Sequence, residues 1–403
     1  MLQVKRPFLP YGRQCIDEDD IDAVVEVLRG AMLTTGPAVE LFEERLANAC
    51  DAPYALANSS GTAALHLAMR AMGIGFSSKV IVPSLTFVAT ANVAKLEGAQ
   101  VFFADVDPNT GLMTPQTLVD ALERCGGQAD LVVPVHYAGQ CEDMDKIQRI
   151  ANAAGAKVLE DACHALGTTY TVGGETFKIG QCAHSDAVAF SFHPVKTIAM
   201  GEGGAVTCKD PALCRAMELD RSHGLSRDPE EFTKLADAYE APGSPHRWYY
   251  EMAQPGLNYR ASDIHCALGA SQLLKLNQFS EARRNSAAEY DELFSQRNIP
   301  IATPQRAPDC DPVFHLYVVR IDFEALGTTR DAVMTGLKER SVGSQVHYVP
   351  VHSQPYYQAR RNHMDLPGTD AFYAQCLSLP LFPTMDSEDI AHVVDAMQDV
   401  LVD

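Results

Sequence analysis

A lysine and an aspartate are the residues in this sequence best placed to do chemistry together. Lys196 follows an apolar run in Ser191-Phe192-His193-Pro194-Val195-Lys196 and precedes a glycine-rich turn, Gly201-Glu202-Gly203-Gly204. Asp161 closes a separate apolar run, Val158-Leu159-Glu160-Asp161. If both runs are strands, an amine and a carboxylate meet at one edge of a sheet although they are far apart in the chain. An amine that condenses with an aldehyde, and a buried carboxylate that keeps a pyridine nitrogen protonated, are the two groups pyridoxal phosphate needs. Most lysines are simply solvated. Lys196 stands between Pro194 and the glycine turn, directly after a buried strand, and burial there lowers an amine's pKa and leaves it usable.

The elements that must position these groups are short and apolar throughout: Val80-Ile81-Val82, Val101-Phe102-Phe103, Leu131-Val132-Val133, Lys157-Val158-Leu159 and Ala187-Val188-Ala189-Phe190. Runs that do not alternate are strands buried on both faces, so the expected architecture is α/β, a mostly parallel central sheet covered by helices. Polar residues follow the runs: Ser84 and Thr86, Asp105 and Asp107, His136, Asp161, Ser191. Ligands in open α/β sheets bind outside the carboxyl ends of the strands. Wet loops explain any single one of these residues equally well, but their company marks one sheet edge as the site.

Asn58-Ser59-Ser60-Gly61-Thr62-Ala63-Ala64-Leu65-His66 opens a helix with small hydrogen-bonding residues. Free N–H groups and the helix dipole make an anion site there, and Gly61 lets the backbone come close. An ordinary Ser/Thr cap explains the same residues when they stand alone; Lys196 and Asp161 tip the reading toward a phosphate. Phe87 could lie flat on a cofactor ring by offset stacking, or belong to the core. Cys163, His164, Cys182, His184 and His193 lack the repeated paired spacing of a zinc site, so no metal is expected.

The chain has 403 residues, 46% of them hydrophobic, enough for roughly two to three domains at about 150 residues each. Its net charge of −20 argues against nucleic acid or an anionic membrane as a partner. The eleven cysteines form no C-x-x-C pair, and no signal peptide or membrane span is visible, so a cytoplasmic protein is expected. No attached DNA-binding domain is expected before Asp17. The pattern Ile21, Val24, Val25, Leu28 after Asp17-Glu18-Asp19-Asp20 predicts a helix ending at Gly30. Residues 225 to 250 read as a mobile polar surface loop and 264 to 279 as helical. After Arg284 a smaller α/β unit is expected, with strands near Tyr317-Val318-Val319 and Val346-His347-Tyr348-Val349 and a helix from Ser387.

With these motifs together the chain resembles the DegT/DnrJ/EryC1/StrS family of pyridoxal-phosphate sugar aminotransferases, which have the type I aminotransferase fold. The resemblance runs through Thr34-Thr35-Gly36-Pro37, Ser60 to Leu65, Pro83 to Asn92, Pro134-Val135-His136-Tyr137-Ala138-Gly139, Glu160 to Gly167, Ser191-Phe192-His193 with Lys196, Gly256-Leu257-Asn258-Tyr259-Arg260, Val346 to His352 and Leu377 to Pro383. It implies an N-terminal arm over 1–16, a cofactor-binding domain over 17–280 and a smaller domain over 281–403. It further implies that Lys196 holds the cofactor aldehyde, Asp161 pairs with the ring nitrogen and Phe87 stacks on the ring. Ser60, Gly61, Thr62 and Ser191 would contact the phosphate, with Asn258 reaching it in the neighbouring subunit of a homodimer. His164 and His193 would line the cofactor and substrate pocket, and Arg13, Tyr259 and Arg260 are candidate substrate contacts.

Dehydratases of this family carry histidine at the lysine position, so Lys196 favours transamination. Many members have two threonines where this chain has Ala199-Met200, which removes a hydroxyl from the site. Leu9-Pro10-Tyr11-Gly12-Arg13-Gln14 and Trp248-Tyr249-Tyr250-Glu251-Met252 are similar to the pseudaminic acid branch of the family. That branch implies amination of a UDP-linked 4-keto-6-deoxy-N-acetylhexosamine at C4, with L-glutamate as donor. An aminotransferase for a dTDP- or GDP-linked keto sugar at C3 or C4, a non-catalytic ligand-binding protein of the same fold, and a Cys/His metal enzyme are the alternatives.

Overall fold

In the computed structural model of the chain, described for residues 7–240, 243–359 and 364–402, seven strands form the central sheet. They are β1 (Tyr54–Asn58), β2 (Lys79–Pro83), β3 (Gln100–Ala104), β4 (Leu131–Val132), β5 (Lys157–Asp161), β8 (Ala187–Ser191) and β9 (Gly204–Cys208). The hairpin β6 (Thr169–Val172) and β7 (Glu175–Lys178) stands apart from them. The spatial order is β1-β9-β8-β5-β4-β2-β3, parallel except for β9, which runs antiparallel to both neighbours.

Side-chain alternation sends each strand's residues to both faces. Ile81, Val158, Val188 and Phe190 enter one buried cluster, while Val80, Val82, Leu159, Ala187 and Ala189 enter the other. A helix layer on each side explains why the runs are apolar without alternation. Each fully buried Val or Phe contributes about 1.5–3 kcal/mol of transfer free energy.

The first helices are α1 (Glu18–Arg29), α2 (Pro37–Cys50), α3 (Gly61–Ala71) and α4 (Val88–Leu96). α1 starts at a reciprocal cap between Asp17 and Asp20 and stops at Gly30, as its pattern predicts. Its apolar stripe is not core within this chain, however: Ile21 and Leu28 are exposed, and the buried residue is Asp20, held by Gln272 Nε2 at 2.6 Å and Lys275 Nζ at 3.0 Å.

β1 and β9 are strands the sequence conceals. Tyr54-Ala-Leu-Ala-Asn58 and Gly204-Ala-Val-Thr-Cys208 carry Ala and Gly, which have weak strand preference, and are made by pairing: β9 with β8 on one side and β1 with β9 on the other. The strand expected at 346–349 does not form. Gln345 makes a single bridge to Ser378, after which His347 Nδ1 turns to the Ser378 hydroxyl at 2.8 Å and the Tyr137 hydroxyl donates to the His347 carbonyl. The β-branched spacing there serves packing around a polar anchor, not a ladder. Tyr317–Arg320 pairs with Cys376–Leu379, and the last helix is Ser387–Leu401.

The expected 264–279 helix is two, Asp263–Leu273 and Leu276–Gln296, and the second runs through residue 280. Residues 225–250 form short two-residue ladders and single turns, apart from 241 and 242 (with Pro242), which lie outside the described residues. The same holds for Lys5 and Arg6 of the arm.

Candidate active site

Asp161 is the last residue of β5 and Ser191 the last of β8, neighbouring parallel strands. Their ends open on a cavity of about 300 Å³. From Ser191 the chain loops to Lys196 and returns into β9. The loop is closed by Phe192 N–H to the Gly203 carbonyl at 2.9 Å and Met200 N–H to the Phe192 carbonyl at 2.9 Å. This places Lys196, half-buried, on the cavity wall with Asp161.

Burial lowers the pKa of Lys196, a shift that Cys163 and Asp161 oppose in part. An amine in that state is neutral, and so nucleophilic and basic, at a lower pH than a solvated lysine. The Asp161 carboxylate is buried and accepts from the Thr90 hydroxyl at 2.7 Å and from the Cys163 backbone N–H at 3.2 Å.

The start of α3 forms the adjoining wall. Ser60 caps the helix through the Ala63 N–H at 3.1 Å, leaving the first N–H groups, at Gly61 and Thr62, without intrahelical partners. A Cβ on Gly61 would lie 2.7 Å from the Ser191 Cβ, and one on Gly204 would lie 2.3 Å from the Ser60 carbonyl oxygen. These two glycines are what let strand end and helix start close on one another. A small anion fits the cradle of N–H groups and Ser191 hydroxyl they create.

Phe87, 56% exposed, stands over the cavity beside Tyr348, ring centroids 5.8 Å apart. Tyr348 is bonded to His164 Nε2 at 3.0 Å. The His164 ring lies 4.4 Å from that of His315, and its Nδ1 is buried without a partner among the described residues. Burial first, then Lys196, depresses the pKa of His164 well below its ordinary value and that of His347 to about 3. Burial likewise raises that of Tyr348. The imidazoles are therefore neutral near pH 7. Amine, buried carboxylate, anion cradle and exposed aromatic ring match the aldehyde, ring nitrogen, phosphate and ring face of pyridoxal phosphate, so the donor set fits that cofactor.

The sequence profile of the DegT/DnrJ/EryC1/StrS aminotransferase family matches residues 14–398. The chain belongs to that family. It is a pyridoxal-phosphate-dependent sugar aminotransferase with the fold of that family. It is similar to the spore coat polysaccharide biosynthesis protein SpsC of Bacillus subtilis (strain 168), 38% identical over 100% of this chain and 99% of that protein. Among solved structures it is similar to Helicobacter pylori PseC, an aminotransferase involved in the biosynthesis of pseudoaminic acid. The TM-score is 0.86 at 28% identity over 98% of this chain and 99% of that one. S. venezuelae DesV gives 0.84 at 29% identity, over 99% and 100%.

The aminotransferase cavity gathers Lys196, Asp161, Ser60, Gly61, Thr62, Phe87, His164, Ser191 and His193. Other expected residues lie elsewhere. Arg13 is exposed, bonded to the Thr384 hydroxyl at 3.1 Å and set over the Phe382 ring; among the described residues of the arm it is Tyr11 that reaches the cavity. Tyr259 braces α3, its carbonyl accepting from Ser59 N–H at 2.8 Å and its hydroxyl meeting His66 Nδ1 at 3.1 Å. Asn258 and Arg260 do not line this chain's own cavity.

Among the polar strand ends, Ser84 holds His352 at 2.6 Å, Asp105 caps the helix Pro367–Gln375 through Gly368 and Thr369, and His136 pairs with Glu160 at 2.6 Å. These are structural. The reading from sequence missed Tyr11, Thr90, His315, His347 and Tyr348. The polar residues embedded in Thr86-Phe87-Val88-Ala89-Thr90 were the one available signal. His184 bonds Tyr170 at 2.8 Å and Cys182 bonds the Thr207 carbonyl, so these two residues have protein partners of their own.

Proposed function

We propose that this protein transfers the amino group of L-glutamate to C4 of UDP-2-acetamido-2,6-dideoxy-hexos-4-ulose, giving a 4-amino sugar nucleotide and 2-oxoglutarate. The observation that carries the transfer chemistry is Lys196 and the buried Asp161 lining one cavity together with the α3 cradle. Bound pyridoxal phosphate supplies an aldehyde that takes up and returns an amino group, and a ring that absorbs the electron pair released at the reacting carbon.

The protein's own residues do the rest. Asp161 holds a proton at the ring nitrogen, and the Gly61 and Thr62 N–H groups with Ser60 and Ser191 orient the phosphate. Lys196 Nζ takes the proton from the α-carbon of the donor and, in the second half-reaction, delivers one to the sugar carbon receiving the amine. Phe87 covers one ring face, while His164, His193 and Tyr348 bound the space left for the sugar.

The donor carboxylates and the nucleotide phosphates call for cations, and Lys196 is the one Lys or Arg lining the cavity among the described residues. That favours a homodimer in which the partner's Asn258 and Arg260 complete the site. The exposed Met32, Leu41 and Leu274 lining a groove between α1, α2 and the helix Asp263–Leu273, with Ile21 and Leu28 also exposed on α1, support such a contact. The unit 17–280 would hold the cofactor and 281–403 would close over it. No described helix is long and apolar enough to cross a membrane, in keeping with a cytoplasmic site of action.

The similarity to PseC, an aminotransferase of pseudoaminic acid biosynthesis, supports the UDP sugar; the higher identity to SpsC, a protein of spore coat polysaccharide biosynthesis, leaves open a second reading, a C3 or C4 aminotransferase acting on a dTDP- or GDP-linked keto sugar. Absorbance of the protein with pyridoxal phosphate tests both. Glutamate should abolish the band of the lysine-bound cofactor and the UDP-4-keto sugar should restore it. Restoration by a dTDP- or GDP-linked keto sugar alone would establish the second reading.

A further inference from the structure

The Thr90 side chain, in the first turn of α4, is completely buried, and Thr86 beside it nearly so. Its hydroxyl has three neighbours: the Asp161 carboxylate at 2.7 Å, the Thr86 hydroxyl at 2.9 Å and the Phe87 carbonyl at 3.3 Å. A threonine hydroxyl has one proton to give. In an ordinary helix it would go back to the carbonyl three or four residues earlier. Here the short contact to a buried carboxylate is the stronger, because a charged acceptor roughly doubles the strength of a hydrogen bond. The Thr90 proton therefore points at Asp161, and its oxygen is left to accept the proton of Thr86. The result is a directed chain, Thr86 to Thr90 to Asp161, rooted in the loop that carries Phe87.

The second carboxylate oxygen accepts from Cys163 N–H at 3.2 Å. Each oxygen of Asp161 thus has one donor from a rigid element and lone pairs to spare. The carboxylate cannot rotate without breaking one of these contacts.

We propose that Thr90, backed by Thr86, is a positioning residue that fixes the rotation of the Asp161 carboxylate against a cofactor ring nitrogen. Through the same first turn it also ties the height of Phe87 to that plane. The inference rests on the reading that Asp161 pairs with the ring nitrogen.

The test uses the full chain loaded with pyridoxal phosphate labelled with nitrogen-15 in its ring, comparing T90V, T90S, T86V and D161A. The readouts are the cofactor dissociation constant and the chemical shift of the ring nitrogen, which reports its protonation. T90V should weaken cofactor binding roughly ten- to a hundred-fold, the worth of one hydrogen bond to a charged group, and move the nitrogen signal toward that of D161A. T90S restores the hydroxyl and should return both readouts to the parent values. T86V should act in the same direction by a few-fold, and carries the test if T90V does not fold. T90V or T86V with parental affinity and nitrogen shift, while D161A changes both, would overturn the role of Thr90 alone. D161A with both readouts unchanged would overturn the reading of Asp161 and this inference with it.

Discussion

The cavity has two walls of different origin. One is built on the central sheet: Asp161 and Ser191 at strand ends, Gly61 at a capped helix start, Lys196 in a loop closed at both ends. The other comes from chain outside that sheet: Tyr11 of the arm, and His315, His347 and Tyr348 from beyond residue 300. The first wall holds charge and free backbone N–H groups on rigid elements. The second is neutral, aromatic and imidazole, carried on irregular backbone beside the ladder Tyr317–Arg320 with Cys376–Leu379. A cofactor that stays needs the rigid wall, because its groups must be held in one geometry. A substrate that comes and goes is better met by the irregular one.

The comparison predicts a clean division of variants. Lys196→Ala should remove steady-state amination, since general acid–base transfer alone is worth roughly 10² to 10⁴ in rate. Appreciable turnover with glutamate and keto sugar would take this lysine out of the first wall. Gly61→Ala pushes a Cβ to 2.7 Å from that of Ser191, an overpacking of about 1–3 kcal/mol. Cofactor titration should show roughly ten-fold weaker binding with a lowered Tm.

The second wall should respond to acid. His315 and His347 are held neutral, chiefly by burial, so their folded pKa values lie below the unfolded value near 6.5. The unfolded chain then binds more protons at acid pH. Stability is full above about pH 6.5 and falls as pH drops toward 3, by up to about 1.4 kcal/mol per unit for each histidine. Melting between pH 7.5 and 4.5 would show this, and a His347→Gln variant should flatten the slope. The smallest effect is expected for Tyr348→Phe, which loses one bond to His164, worth about 0.5–1.5 kcal/mol. KM for the sugar should rise a few-fold with cofactor affinity unchanged; a loss of cofactor instead would erase the distinction between the walls.

Legibility divides along a similar line. Apolar runs such as Val80-Ile81-Val82 and Ala187 to Phe190 betray strands because burial on both faces demands it, and a strand's last residue is placed by the strand. Asp161 and Ser191 were readable for that reason, Lys196 from its place between a buried strand and a glycine turn, and Gly61 from the small residues of a helix start. β1 and β9 were hidden because Ala and Gly have little strand preference of their own, and the pairing that makes them strands is non-local. Thr90 and Tyr348 were not singled out because only the packing of α4 and of the 346–349 segment turns their hydroxyls to Asp161 and His164. That Arg13 meets Thr384 and Phe382, and that Tyr259 braces α3, was not readable because a polar type says nothing about which face of the molecule it will meet.

By itself, then, the sequence determined five apolar strands of the sheet, the amine and carboxylate beyond their ends, and the helix start beside them, all properties of local pattern. The tertiary structure alone decided which distant segments close the cavity, which hydroxyl aims the carboxylate and which apolar stripe stays uncovered. Those outcomes depend on contacts between residues far apart in the chain, such as Thr90 with Asp161 and Tyr348 with His164, whose geometry no local spacing encodes.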